Sequence, residues 1–137
     1  MRFKRVGRDV SQLVGLDAKC FPYDTSLNPT EGTWFLLNDG DTPVAFGGYI
    51  LDTEHSAYFI RGGVLPEYRG RGLYQRVLRY AARRAKADGV EGIWTYCMAF
   101  NTASANGLWG AGFKLIPESR LVYTADACLY FYRDLTA

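Results

Sequence analysis

The sequence predicts an α/β fold, and three observations support this prediction. Short apolar segments that favour strands alternate with amphipathic segments that favour helices. The clearest helix, residues 71–88, follows an apolar segment after a turn that contains Gly70 and Gly72. The next segment, residues 93–100, is apolar on both faces, which is typical of a central strand. A chain of 137 residues can bury one good core but not two, so we expect a single domain over residues 1–137.

The individual elements are predicted by apolar periodicity and by their terminal residues. We expect a helix from about residue 10 to 20 with Asp9 as its N-cap, one over 71–88, and a shorter one from Asn101 to before Gly112. The second is the clearest because its apolar residues recur every four positions: Leu73, Val77, Ala81 and Ala85. Strands are expected at 2–6, 34–37, 44–51, 57–65, 93–100, 113–116, 121–123 and 128–133.

The turn between residues 57–65 and 71–88 carries the strongest functional signal. Its glycines, Gly70 and Gly72, alternate with the arginines Arg69 and Arg71. A glycine turn before a helix presents unpaired backbone N–H groups at the positive end of the helix dipole, where a phosphate or pyrophosphate binds well. The pattern is not G-x-x-x-x-G-K-[ST], and no acidic residue ends the next strand to hold a ribose. A phosphate-bearing ligand of another class is therefore expected, and a purely structural glycine turn is the alternative.

The motif V-x-P-x-Y-R-G-x-G-L, then an amphipathic helix, a buried strand, N-x-x-S and G-F, resembles the GNAT superfamily of acetyl-CoA-dependent N-acetyltransferases. The resemblance covers residues 64–113 well and the rest of the chain loosely. It implies a mixed, mostly antiparallel sheet flanked by helices, with two central strands that splay apart around the thioester. It also implies that acetyl-CoA is the acyl donor and that a primary amine attacks it directly in a ternary complex.

The same resemblance implies which residues bind the coenzyme. The backbone of the turn would hold the pyrophosphate, the preceding strand would pair with the pantetheine arm, and an asparagine would line the cleft. In this sequence the corresponding residues are Val64, Leu65, Arg69, Gly70, Arg71, Gly72, Leu73, Tyr74 and Asn101. Tyr74 departs from the family pattern, which has Gly or Ala there, so its ring must point away from the phosphates.

At the catalytic positions the sequence departs from the family pattern. Leu108 stands where many family members have the tyrosine that protonates the thiolate, and the strand 57–65 carries Arg61 but no carboxylate. The attacking amine must lose a proton, and the candidates for its acceptor are Glu54, His55, Tyr58, Tyr96 and Tyr123, or water; of these, His55, Tyr96 and Tyr123 are the predicted catalytic residues. Arg61 is predicted either to orient an anionic group of the acceptor or to form a salt bridge. The rival function is a GNAT-shaped module that binds coenzyme or a partner without catalysis.

Composition limits the partners. A net charge of +2 disfavours nucleic acid, and no apolar run is long enough for a membrane span, so we expect a cytoplasmic protein. One histidine and three dispersed cysteines favour neither a metal site nor a disulfide framework. The expected partners are acetyl-CoA and an amine acceptor, either a small molecule or a protein N-terminus or lysine. The aromatic content of 15% has three possible explanations: an acceptor pocket, a homodimer interface or simple core packing.

Overall fold

The computed structural model describes residues 1–116 and 128–136. The strands are β1 (Arg2–Arg5), β2 (Thr33–Asp39), β3 (Thr42–Leu51), β4 (Ser56–Val64), β5 (Gly92–Met98), β6 (Lys114–Leu115) and β7 (Cys128–Asp134). The helices are α1 (Ser11–Cys20), α2 (Leu73–Ala87) and α3 (Thr102–Gly110). One sheet contains these strands in the order β1-β2-β3-β4-β5-β7-β6. Its pairs are antiparallel except β4–β5, which is parallel, so the predicted mixed α/β fold is confirmed.

The helices α1 and α2 cover opposite faces of the sheet. A Cβ atom on Gly47 would meet Val77 of α2, whereas a Cβ atom on Gly63 would meet Cys20 at the end of α1. Gly63 pairs with Phe46, the neighbour of Gly47, and adjacent strand residues point to opposite faces. The core between these layers is rich in large apolar side chains, among them Leu13, Phe35, Phe46, Phe113 and Phe131. No helix within the described ranges is long and apolar enough to cross a membrane.

The parallel strands β4 and β5 separate after a short stretch of pairing. Only three residue pairs join them, from Ser56–Gly92 to Tyr58–Trp94. The register of β4 against β3 shifts at the same level, because Gly48 pairs with Arg61 while Tyr49 pairs with Phe59. A bulge of this kind bends a strand and increases its twist. The extra residue thus turns the second half of β4 away from β5, and the predicted splayed pair is confirmed.

The hydroxyl of Thr95 hydrogen-bonds a backbone carbonyl of β4 just beyond the last β4–β5 pair. Thr95 is buried, and its Oγ1 donates a hydrogen bond of 2.9 Å to the carbonyl oxygen of Phe59. A buried carbonyl without a partner would be costly, so a side chain here replaces the lost ladder bond. The carbonyl oxygen of Phe59 therefore keeps a hydrogen-bond partner at the point where the gap begins.

The boundaries differ from the sequence prediction in a few places. Val10 is the N-cap residue of α1 rather than Asp9, whose Oδ1 accepts hydrogen bonds from the amide and hydroxyl of Ser11. A turn of 3₁₀ helix at Pro66–Tyr68 was not predicted. The strand predicted at 121–123 lies outside the described residues.

Two glycine-to-alanine substitutions test the packing between the sheet and α2. In Gly47→Ala the new Cβ would lie 2.6 Å from Cγ1 of Val77 and 2.8 Å from Cζ of Phe35, so we expect the free energy of unfolding to fall by about 1–3 kcal/mol. The matched control is Gly15→Ala in α1, where no atom lies within 4 Å. The control should stabilise the protein by roughly 0.5–1 kcal/mol. Urea denaturation measures both, and equal effects would contradict the packing described.

Candidate active site

A cleft of about 600 Å³ opens where β4 and β5 separate. Its walls come from the end of α1, the second half of β4, the glycine turn, the start of α2 and the start of α3. The residues that line it include Phe21, Gly62, Gly63, Val64, Arg69, Gly70, Gly72, Leu73, Tyr74, Gln75, Asn101 and Ser104. Most of the predicted coenzyme residues therefore meet in one cleft, while Leu65 and Arg71 are not part of its wall.

The glycine turn presents a row of free backbone amides. Gly70 and Gly72 have φ angles of +79° and +75°, a conformation that L-residues rarely adopt. Gly72 is the N-cap of α2, and the first helical bond runs from the Arg76 amide to the Gly72 carbonyl. The amides from Gly70 to Gln75 have no acceptor among the described residues. They lie at the positive end of a 15-residue helix, which is an anion-binding arrangement.

The two arginines of the turn are already engaged with the protein. Arg69 donates from Nε to the Val64 carbonyl at 3.1 Å and from Nη2 to the Cys20 carbonyl at 3.2 Å. It thereby joins the end of α1, the end of β4 and the glycine turn. The guanidinium of Arg71 lies 4.8 Å from the ring centroid of Tyr68, and its Nη2 donates to the Glu67 carbonyl. The structure therefore assigns both side chains protein contacts, and the expected phosphate contacts stay predictions.

The second half of β4 offers backbone groups to the cleft. The amide of Leu65 donates to the Val44 carbonyl at 2.9 Å, so it faces β3 and is occupied. Backbone groups alternate in direction along a strand, so the amides of Val64 and Gly62 face the gap instead. Leu65, which was predicted to pair with the pantetheine arm, therefore has its amide turned away from the cleft. Val64 remains a candidate for this pairing. Gly62 is a residue that the sequence analysis missed.

The far wall of the cleft is the contact between α2 and α3. Asn101 is the N-cap of α3, and its Oδ1 accepts a hydrogen bond of 3.1 Å from the Ser104 amide. The ring of Tyr74 lies where a Cβ atom on Gly107 would be, and its hydroxyl is 3.3 Å from Oγ of Ser104. Burial raises the pKa of the Tyr74 phenol, which stays neutral. Tyr74 therefore joins α2 to α3 with its ring turned towards α3, away from the free amides.

Arg61 forms a salt bridge. Its Nη1 lies 3.0 Å from Oδ1 of Asp17 and 3.2 Å from the Thr25 carbonyl, and its guanidinium lies 5.5 Å from the ring centroid of Phe21. The side chain of Asp17 is only 3% exposed, and its other oxygen accepts a hydrogen bond from the Leu27 amide. The salt-bridge alternative for Arg61 is thus what the structure contains. Because Phe21 also lines the cleft, Arg61 lies beside its mouth.

The three predicted catalytic residues lie in different places. His55 is in the β3–β4 turn, 67% exposed, with Nε2 3.3 Å from Glu54 and Nδ1 3.6 Å from Glu91. It precedes β4, so roughly 25–30 Å of strand separates it from Val64. The cleft and His55 are therefore at opposite ends of β4, which makes His55 a surface residue far from the gap. Tyr123 lies outside the described residues.

Tyr96 lies on β5 two residues after the last β4–β5 pair. Its ring is parallel to that of Tyr58, with centroids 6.2 Å apart, and lies 5.9 Å from the ring of Tyr130. Burial, the nearby phenol of Tyr96 and a hydrogen bond with it raise the pKa of Tyr58 to about 12, against a small opposing effect of Arg61. These three rings form an aromatic cluster beside the gap. Leu108 has no group that could donate a proton, and it is fully buried.

Several lining residues were not predicted from the sequence. Gln75 and the pair Gly62–Gly63 line the cleft without belonging to a motif that was singled out, and Ser104 lines it as the serine of N-x-x-S, to which no role was given. The glycine pair was a usable signal, because neighbouring glycines in a strand mark a bulge or a close approach. Gln75 carried no signal, since a polar residue near a helix N-terminus is ordinary.

Comparison with known proteins identifies the family. The model of the acetyltransferase (GNAT) family matches residues 10–113. The chain belongs to the GNAT acetyltransferase family. No curated protein matches the sequence. Acetyl-CoA is the acyl donor of this family, and the free amides and adjoining gap of this chain suit its diphosphate and its extended arm.

Solved structures show the same GNAT fold. The ribosomal-protein-S18-alanine N-acetyltransferase of Escherichia coli aligns with a TM-score of 0.78 at 15% identity, covering 99% of this chain and 94% of that one. An acetyltransferase of Bacillus subtilis in complex with CoA gives 0.80 at 13%, covering 97% of each chain. An N-acetyltransferase of Staphylococcus aureus gives 0.79 at 14%, covering 99% and 98%. At these identities the likeness shows the fold.

The salt bridge beside the cleft generates a stability prediction. Arg61→Ala leaves a buried carboxylate without its cation, so we expect the free energy of unfolding to fall by about 2–4 kcal/mol. Asp17→Asn should cost less, because it leaves no buried charge without a partner: the amide oxygen can still accept from Arg61, which is partly exposed, and only the hydrogen bond from the Leu27 amide is lost. A double-mutant cycle in urea measures the coupling. An Arg61→Ala protein as stable as the parent would show that the pair contributes nothing.

Proposed function

We propose that this protein is an N-acetyltransferase that moves the acetyl group of acetyl-CoA to a primary amine. The observation that carries the proposal is the row of unbonded amides from Gly70 to Gln75, at the open end of the β4–β5 gap. This arrangement supplies an anion site for the diphosphate and, beside it, an unpaired strand edge at Gly62 and Val64 for the amide-containing arm. Family membership supports the same donor.

The reaction we propose is direct attack in a ternary complex. The amine nitrogen forms a bond to the thioester carbonyl carbon, the C–S bond breaks, and the sulfur leaves as CoA thiol after taking up one proton. The amine loses one proton, so the step is balanced without a metal or redox partner. A backbone amide near Val64 that faces the gap would stabilise the oxyanion.

The acceptor is expected to enter beside Arg61 and the aromatic cluster. Phe21 and Gly62 line the cleft, Arg61 contacts Phe21, and the ring of Tyr58, three residues before Arg61 on β4, is parallel to that of Tyr96. Tyr96 is the described candidate for handling the proton, through Tyr58 or ordered water. Tyr123 stays a sequence-based candidate. Arg61, held by Asp17, would act by shaping the entrance.

A coenzyme-binding module without catalysis is the second candidate function. One observation favours it: Leu108, where many family members have an acid, is fully buried, and β4 carries no carboxylate. Such a module would bind acetyl-CoA in the same cleft and release no thiol beyond the hydrolysis seen in its absence.

Two glycine variants with the same backbone strain test the coenzyme site. Gly72→Ala forces an alanine into a left-handed conformation at the anion site, so we expect the Kd for CoA to rise at least tenfold. Gly40→Ala imposes comparable strain, at a φ of +61°, in the β2–β3 turn, and should leave CoA binding unchanged. Isothermal titration calorimetry measures both. Unchanged affinity in Gly72→Ala would contradict an anion site at this turn.

Release of free thiol from acetyl-CoA, followed with a panel of amines, tests the transfer itself. We expect Tyr96→Phe to lower kcat by about 10²-fold while the KM for acetyl-CoA stays constant, because the phenol handles a proton and does not bind the coenzyme. His55→Gln serves as the control and should retain parental activity. Equal activity of Tyr96→Phe and the parent would remove Tyr96 from the mechanism, and no amine-dependent thiol at all would favour the binding module.

The pH dependence follows from the acceptor amine and from the raised pKa of the Tyr58 phenol. The amine must be neutral to attack, so kcat/KM should rise with pH through the pKa of the acceptor, about 8 for an α-amine or 10.4 for a lysine. Tyr58, with its pKa raised to about 12, stays protonated over this range and imposes no falling limb below pH 10. A pH–rate profile that falls between pH 7 and about pH 9 would show that another group controls the reaction.

A further inference from the structure

The net charge of the chain is an average over two unlike parts. Residues 1–8 and 68–87, which contain β1, the glycine turn and α2, carry eleven lysines and arginines and no aspartate or glutamate. The rest of the chain carries five lysines and arginines against 14 aspartates and glutamates. The sum of +2 therefore hides a strongly basic region, and lysines and arginines gathered along one helix are typical of a surface that binds anionic polymers.

Four arginines line one cavity on the outer side of α2. We call this cavity the arginine pocket; it has a volume of about 330 Å³, and its lining residues are Phe3, Arg76, Arg79, Arg83 and Arg133. Arg76, Arg79 and Arg83 are exposed and follow one another at helical spacings of three and four residues, so they share one face of α2. Arg133 comes from β7. Among the described residues, none that lines this pocket is acidic.

A stacked aromatic pair holds two of the guanidinium groups. The rings of Phe3 and Tyr80 are nearly parallel, at 7°, with centroids 4.0 Å apart. The guanidinium carbon of Arg76 lies 5.8 Å from the centroid of Phe3, and that of Arg83 lies 5.8 Å from the centroid of Tyr80. A ring face attracts a cation without neutralising it. Both arginines are therefore oriented while their full charge remains.

The end of α3 holds the other two guanidinium groups. Nη2 of Arg79 donates a hydrogen bond of 2.8 Å to the Gly110 carbonyl, and Nη1 of Arg133 donates one of 3.1 Å to the Ala111 carbonyl. These carbonyls lie at the negative end of a helix, which favours a nearby cation. A guanidinium group has five N–H donors, so both side chains keep donors for a ligand.

The carboxylates nearest to these arginines in the sequence are engaged elsewhere. Asp88, at the end of α2, accepts a hydrogen bond of 2.6 Å from the hydroxyl of Tyr49. Asp134 follows Arg133 on β7, so its side chain points to the opposite face of the sheet, where it accepts hydrogen bonds from Thr136. Of the lysines and arginines in the described ranges, Arg61 alone forms an ion pair. Four guanidinium groups without a described counter-charge favour a ligand with several negative charges.

We propose that the arginine pocket binds the phosphate backbone of a nucleic acid. Arginine suits this ligand because its planar fork donates two parallel hydrogen bonds to a phosphate. From Arg76 to Arg83 the helix rises about 10 Å, the length that about three phosphates of one strand occupy along a duplex. A small anion would contact only part of this row. The site is separate from the acetyl-transfer cleft, and the proposal does not depend on the transfer reaction.

Fluorescence anisotropy with a short labelled DNA duplex of mixed sequence tests this proposal. The titrations are run over a range of salt concentrations, without CoA and with CoA in excess. Each phosphate contact contributes about −0.9 to the slope of log K against log salt, so four arginines predict a slope of about −3.6. We expect the same affinity with and without CoA, because the coenzyme phosphates belong at the glycine turn.

Three double variants assign the binding to the arginine pocket. Arg76→Gln/Arg83→Gln should weaken duplex binding about tenfold at low salt and make the slope shallower by about 2. Arg76→Lys/Arg83→Lys keeps both charges and should keep the slope. Lys19→Gln/Lys114→Gln is the matched control, which removes the same charge and should change neither quantity. Lys19 is on α1, across the sheet from α2, and Lys114 pairs with Tyr132, the neighbour of Arg133 that points to the opposite face.

Duplex binding that is undetectable at low salt, or equally tight in Arg76→Gln/Arg83→Gln and the parent, would overturn the proposal. A lysine variant that loses the slope, or a control that weakens binding equally, would do the same. Tighter binding of a polyglutamate peptide than of the duplex would show that the pocket accepts an acidic protein instead. Loss of duplex binding in excess CoA would show that it holds a phosphate of the coenzyme. Circular dichroism confirms that each variant is folded.

Discussion

The short parallel pairing between β4 and β5 is the constraint on which the site depends. Three residue pairs join these strands, and the shift of register opposite Gly48 and Tyr49 turns β4 away directly afterwards. If the pairing continued, the amides of Gly62 and Val64 would be consumed by β5 and the cleft would not exist. Because it stops, one end of the gap meets the free amides of the glycine turn.

An open gap in a sheet must be held open, and charged side chains serve this purpose here. Arg69 binds carbonyl oxygens of Val64 and Cys20, which joins α1 to the end of β4. Arg61 binds the buried Asp17 and fixes α1 against the same strand. On the other side, Tyr74 fills the space over Gly107 and joins α2 to α3. The walls are thus fixed before any ligand arrives, which lowers the entropic cost of binding.

Much of the fold could be predicted because its signals are local. The stripe of Leu73, Val77, Ala81 and Ala85 gives the helix, and Gly70 and Gly72 give the turn, since only glycine readily adopts their φ angles. The contacts of Arg69 and Arg71 could not be predicted in this way, and for Arg61 a salt bridge was predicted but not its partner Asp17, because only the tertiary structure brings the partners of a long side chain near it. His55 was a candidate only because an imidazole can accept a proton, and the topology places it at the end of β4 opposite the cleft.

A titration of ¹⁵N-glycine-labelled protein with CoA tests the central claim most directly. The chain contains 15 glycines, and they divide into a predicted bound set and internal controls. The account predicts that the amide resonances of Gly62, Gly70 and Gly72 shift to saturation, while those of Gly15, Gly40 and Gly89 stay in place. Saturating CoA that leaves the first set unmoved, or moves the second set equally, would contradict a coenzyme held by the turn and the open edge of β4.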